Sequence, residues 1–488
     1  SCSLWDGVTE VTTSKDPTAI SSSTSLTFKG TGIVITKGVV KTLALKCNIA
    51  SGTTARYAWG YDSGETPSAT GLSSGEAATI TENDSAGQYM TATAAGTMTV
   101  VLDASTPSYT VAAAGTTATL GVLKFHAMNE AINLKKVSLQ LAPSSIGNAA
   151  SSSPNALTQV TLWDLLQPVG SQQVGTAIFT GTSHNATSTL TQDFIIPKDG
   201  DRLMTVKGDL AAIGTAQPGV QGAIIEVDYD GADSTGTQGI GAASGTTINQ
   251  GSSSDTDVSG VRVFKGYPSV ARITTGITTS YGGGITGFRL YRFSVKANNN
   301  DVSLFKFTFR IATSTTPQSP GSYSTTTLTN LKLFGYTTSD FTATIPPWSD
   351  GQLNATDAAL PGDGNTDFNV PFDGTGAPTD QKVTIPSGST YYFEVRGDIT
   401  LSGGPTGGSV TTQLEGDAAY PTNAALPTGI AGCTLLATTS AIDLDTNNDF
   451  IWSPNATSTS VTQTCDWTNG YRVPGLPSSN LDAQVITK

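Results

Sequence analysis

Apolar and polar positions alternate with a period of two over short stretches of this chain. Tyr391, Phe393 and Val395 recur at every second residue and fall on one face of a strand. Leu157, Val160 and Leu162 lead a second such stretch into Trp163. Apolar residues at helical spacing are scarce. Leu165–Val169 and Asp209–Ile213 offer single turns at most, and no long amphipathic helix is indicated. Turn signals arrive about every ten residues, supplied by 53 glycines and 23 prolines. The pattern predicts an all-β chain built of β-sandwiches.

The strands belong to a repeat. Ile196–Leu210 reads I-P-K-D-G-D-R-L-M-T-V-K-G-D-L, and Ile385–Ile399 reads I-P-S-G-S-T-Y-Y-F-E-V-R-G-D-I. A weaker copy, I-T-K-G-V-V-K-T-L-A-L-K-C-N-I, occupies Ile35–Ile49. Upstream of each lies a second block: Leu157–Asp164, Leu328–Gly335 and Ser1–Asp6. A third block, Ile132–Leu139, matches Val302–Phe309 and has no copy ahead of Ser1. A period of about 150 residues is domain-sized. We therefore expect three tandem Ig-like β-sandwich domains: residues 1–95, 96–259 and 260–488, the last with a C-terminal tail from about Tyr420. The first is expected to be incomplete at its N-terminus, with Ser1 a processed or truncated start. Its groove would then take a strand from a neighbouring chain or an upstream segment, Leu481–Lys488 being one candidate donor.

The alignment carries finer expectations. Trp5, Trp163 and Phe334 should share one core position, so that Trp163→Ala costs roughly 3–5 kcal/mol. The I-P-x-G element should be a tight turn, and V-K-G-D or V-R-G-D should leave the strand into another. Asp209 and Asp398 read as turn residues bonding their own backbone. Met98–Leu102 and Val261–Phe264 read as opening strands of the second and third units.

Composition narrows function. Charged residues make up 13% of the chain, about half the usual share. Net charge is −13, and the 25 basic residues are scattered, so nucleic acid is an unexpected partner. No apolar run approaches the roughly 20 residues of a membrane span. The chain has two histidines, His126 and His184, and His126 aligns with Ser294. Without a nucleophile elbow, a phosphate loop or an H-E-x-x-H pattern, the chain does not read as an enzyme.

Four cysteines fall in two local pairs. Cys2 with Cys47 and Cys433 with Cys465 are expected as disulfides in an oxidising compartment; the competing reading is four buried thiols. Asp443, Asp445, Asn447 and Asp449 place oxygen ligands at every second residue, as in the first half of a calcium loop. Asn448 stands where that loop needs glycine and Pro454 where it needs glutamate, so a polar strand edge competes with calcium. No other cofactor is indicated. Asn83, Asn185, Asn354 and Asn455 head N-x-S/T sequons and are candidate glycosylation sites. Trp452 and Trp467, near Asp466, form the one cluster that suits a sugar, against a plainer role as core plugs.

The tail reads F-I-W-S-P-N-A-T-S-T-S-V over Phe450–Val461 and D-W-T-N-G-Y-R-V-P-G-L-P over Asp466–Pro477. With the L-x-x-V-x-L-W-D and V-K-G-D-L blocks, it resembles the large tandem-repeat surface proteins of the candidate phyla radiation (Patescibacteria). That resemblance implies a secreted, β-rich, non-enzymatic subunit of a surface layer. The expected function is thus a structural extracellular protein that self-assembles as a homo-oligomeric lattice or filament. The alternative is an adhesin or glycan-binding protein contacting the cell envelope.

Overall fold

The computed structural model of the chain describes all residues except 17–22, 50–55, 63–66, 84, 93–95, 142–153, 182, 215, 251–253, 320–321, 356–357, 361–363, 378–381, 403–407, 419–448, 457–466 and 477–480. The chain is all-β. Among the described residues one 3-10 turn, Pro154–Ala156, is the only helical element. No described helix is long and apolar enough to cross a membrane.

In the second unit the front sheet has five strands. Their order is Gln173–Ala177, Leu157–Trp163, Gly200–Leu210, Thr117–Met128 and Thr97–Leu102. The back sheet is built on Ile132–Leu141, flanked by Asn185–Ile196 and Gln238–Gly241, with Thr247–Asn249 outside. The third unit repeats the plan. Thr390–Ser402 sits between Ile285–Asn298 and Ser322–Tyr336 in front, and Val302–Thr313 carries the back sheet. Alternation puts Leu162, Met204 and Val206 on the inner face of one front sheet and Leu333, Phe393 and Val395 on that of the other. All six are essentially inaccessible to water.

We call the strand with the L-W-D block the motif strand and its V-K-G-D partner the closing strand. Their register is the same in all three units. Val160 faces Gly208 and Thr161 faces Lys207 in the second. Lys332 faces Arg396 in the third, and Ser3 faces Lys46 in the first. The turn ahead of the closing strand also repeats: Gly200 N donates to Pro197 O, Ser389 N to Pro386 O, and Val39 N to Thr36 O. The third turn residue is left-handed each time, as Asp199, Gly388 and Gly38.

Several expectations need correction. The closing strands run through V-K-G-D and V-R-G-D, ending at Leu210 and Ser402, because the flanking strands go on pairing with them. Asp209 and Asp398 therefore bond across strands. Asp209 accepts from Gln159 Nε2 at 2.7 Å and Thr117 Oγ1 at 2.5 Å; Asp398 accepts from Asn330 Nδ2 and Gly287 N, both at 2.6 Å. Register also places His126 opposite Asp201 and Lys296 opposite Thr390, so His126 aligns with Lys296, while Ser294 aligns with Lys124.

Val261–Phe264 is not the third unit's counterpart of Thr97–Leu102; Tyr267–Arg272 holds that place. Val261–Phe264 pairs instead with Thr110–Ala113 and Ile224–Ile225 of the second unit. Arg262, buried in this joint, donates to Tyr109 Oη and to Gly222 O. The tail is part of the third unit's own back sheet. Phe450–Ser453 pairs with Val302–Thr313, and Gln484–Thr487 pairs with Ser409–Leu414. Ile486 is fully buried there, so Leu481–Lys488 is not a free donor strand.

Candidate assembly surface

The first unit holds the motif strand Cys2–Asp6 between Thr9–Glu10 and the closing strand Ala44–Cys47. Among the described residues, the closing strand has the motif strand as its one strand partner. In the other units a long strand, Thr117–Met128 or Ile285–Asn298, occupies its far edge. The described first unit also has no counterpart of the back strands Ile132–Leu141 and Val302–Thr313.

Core positions are consequently left bare. Ile35 is 62% exposed, whereas its equivalents Ile196 and Ile385 are at 0%. Leu45 is 39% exposed against 1% for Val206 and 0% for Val395. Ile49 is 51% exposed against 3% for Leu210 and 1% for Ile399. Covering an aliphatic side chain of this size is worth about 1.5–3 kcal/mol. An apolar face beside an unpaired strand edge is a template for strand addition.

A covalent link stands where the siblings pack. Cys2 and Cys47 face each other at a Cα separation of 4.0 Å and are joined by a disulfide. The equivalent pairs set an aliphatic opposite glycine. A Cβ on Gly208 would lie 2.6 Å from Leu120 Cδ1, and one on Gly397 would lie 3.0 Å from Leu331 Cδ2. Core leucines thus crowd this position in the second and third units, and any side chain larger than glycine would have to displace their ends. Cys433 and Cys465 lie outside the described residues.

Trp5, Trp163 and Phe334 do share one position, but it is on the outer face and only half-buried. Each ring lies under the cation two residues beyond its own partner on the closing strand: Lys46 at 4.1 Å, Lys207 at 4.0 Å and Arg396 at 4.5 Å. Trp5 Nε1 donates to Ser3 Oγ and Trp163 Nε1 to Thr161 Oγ1, the same two-residue reach along the strand. The expected core role fails because successive side chains alternate between faces: Leu4, Leu162 and Leu333 take the inner one.

The remaining candidates are dispersed. Asp443, Asp445 and Asn447 lie outside the described residues; Asp449 N donates to Asp417 Oδ1 at 2.8 Å. Among the described residues no cluster of three or more metal-ligating side chains occurs. Asn83 and Asn185 are exposed, with Asn185 Nδ2 bonded to Asp230. Asn354 is buried, its amide occupied with Leu331 O and Leu333 N, so the folded chain offers no glycan acceptor there. The amide of Asn455 is likewise shielded from solvent. Trp452 and Trp467 plug the core; Trp452 meets Phe264 edge-on at 5.0 Å and donates to Asn469 O.

No family model and no curated protein matches the chain. Among solved structures it is similar to a chain called BspA_C_mut, at 9% identity over 66% of this chain and 94% of that one, TM-score 0.16. It is similar to the serine-rich repeat adhesion glycoprotein Srr1 of Streptococcus agalactiae, at 11% identity over 65% and 91%, TM-score 0.15. The CupB6 tip adhesin of Pseudomonas aeruginosa matches at 11% identity over 66% and 94%, TM-score 0.15. Similarities at these scores carry no argument about function.

Proposed function

We propose that the chain is a structural protein of a cell surface, the subunit of a surface layer or filament, joined to its neighbour by strand addition at the first unit. The carrying observation is the bare inner face of Ile35, Leu45 and Ile49 beside a strand edge unpaired among the described residues, set against the same positions buried in both siblings. A contact in which one subunit's edge takes another's strand is heterologous, so it need not close and can extend. The Cys2–Cys47 disulfide supports an extracytoplasmic location. The resemblance of the repeat and tail blocks to Patescibacterial surface proteins supports the same reading.

Electron microscopy and sedimentation of the purified chain test it. Ordered sheets or filaments are expected, dispersed by Ile35→Asp with Leu45→Asp while the second and third units stay folded. A chain that remains monomeric at every concentration sinks the reading.

A further inference from the structure

The outer face of the third unit's front sheet carries a row of cations that the second unit lacks. Register sets Arg289 opposite Arg396, and Arg396 opposite Lys332. The three lie in line across adjacent strands, which are spaced about 4.7–4.9 Å apart. In the next row on that face Arg292 is opposite Glu394 and Glu394 opposite Phe334. Glu394 is fully buried and accepts from Arg292 Nε and Arg396 Nε, with Arg289 Nε 3.3 Å away. Asp398, near Lys332, is another carboxylate of this face. Within these two rows three arginines and Lys332 stand with one carboxylate, Glu394, on a chain of net charge −13.

Aromatic rings fix the guanidinium planes. Phe341 lies on Arg292 at 3.8 Å, Phe334 lies against Arg396, and Phe341 packs on Tyr336 and Tyr392. Phe341 holds its place with a left-handed backbone, φ 58°, which bulky residues rarely take. Arg289 and Arg396 nevertheless keep 50% and 30% of their side chains exposed.

The fold does not require this cluster. The second unit builds the same rows from Thr119, Lys207 and Thr161, then Val122, Thr205 and Trp163. Both units interrupt the ladder at the same step, between Thr119 and Gly121 or Arg289 and Tyr291.

We infer that this face binds a linear acidic polysaccharide with one carboxylate per sugar ring, laid along the Arg289–Arg396–Lys332 row. Guanidinium groups match carboxylates in bidentate fashion, and groups held in place beforehand lose less freedom on binding. One cation per strand on three adjacent strands makes a linear array that suits a repeating polymer, whereas an acidic protein surface calls for a broad patch. The inference goes beyond the assembly reading and does not depend on it.

Biolayer interferometry of the full chain on immobilised polygalacturonate at low salt tests it, with neutral dextran as control. Binding to polygalacturonate alone is expected, weakening as sodium chloride rises. Arg289→Glu with Lys332→Glu should weaken it about tenfold or more, for loss of charge-assisted hydrogen bonds. Circular dichroism checks the fold of that variant, and Arg289→Gln with Lys332→Gln should give a smaller loss in the same direction. Lys207→Glu in the second unit should leave binding unchanged. Equal binding to dextran, no loss in either double variant, or no binding by the unaltered chain overturns the inference. If the unaltered chain ignores polygalacturonate but the double variants stop self-associating, the face is a contact between copies and the inference also falls. Binding without any sheets or filaments would refute the assembly reading alone.

Discussion

The first and third units share a strand register but not a core. Ser3–Lys46 and Lys332–Arg396 pair alike, the turns ahead of the closing strands match, and a cation covers a ring in both. Yet Ile35 lies open where Ile385 is sealed. Local pairing and burial are therefore separable: two strands and a turn define the seam, while burial needs the back strand, Val302–Thr313 in the third unit. The first unit carries a disulfide where its siblings rely on packing, as small units with little core commonly do.

The comparison breaks first, if it breaks, at the paired isoleucines. Ile385→Ala should destabilise the third unit by about 2–5 kcal/mol, whereas Ile35→Ala should move the first by no more than about 0.5 kcal/mol in unassembled chains. Hydrogen exchange resolved by peptide would read both in one denaturant series. Equal losses would mean that the first unit's inner face is covered.

Next in size is the disulfide. Replacing Cys2 and Cys47 together by serine should cost the first unit about 2–4 kcal/mol and leave the other two unchanged. Faster exchange in the second or third unit would show that the units are not independent.

The outer rings come third. Trp163 is half-buried, so Trp163→Ala should cost about 1–2 kcal/mol from partial burial and the lost Lys207 contact, less than a core tryptophan. Trp5→Ala should behave alike. A loss of core size at Trp163, read from denaturant midpoints, would move that ring back inside.

The comparison also extends to the pH response. Burial pushes Asp417 and Glu415 up to about 7 in the third unit and Asp228 up to about 6 in the second. These carboxyls hold protons more tightly folded than unfolded. Their contribution grows as pH falls from about 8 toward 5 and is lost as pH rises through their folded values. In the first unit the sign is opposite. Hydrogen bonding to Lys29 holds Glu10 at about 2, so its contribution is present above the ordinary carboxylate range and lost on strong acidification. Calorimetry between about pH 8 and 5.5 should raise the third unit's transition and leave the first unit's flat. A flat third transition would falsify the assignment of buried acids.

The strand pairing was legible because it repeats. Three copies at equal spacing align Val160 with Leu331 and Cys2, and make the strands of Cys2 and Cys47 expected neighbours. The face of each side chain was less legible. Trp163 follows Leu162 directly, and alternation decides that one turns in and the other out. Asp209 resembled a turn residue because G-D commonly ends a strand, but Thr117 and Gln159, distant in sequence, hold it within one. The tail had no internal copy to align with, so its place in the third back sheet could not be read.

The sequence by itself determined the all-β class and the repeated seam, because period-two alternation and turn chemistry are local and recur at fixed spacing; it favoured Cys47 as the partner of Cys2, and the structure shows that bond. Only the tertiary structure decided which seam is covered, where the tail goes and that Arg289, Arg396 and Lys332 stand in one row. Those outcomes depend on which distant strands pack together, and no spacing along a single strand encodes its neighbours.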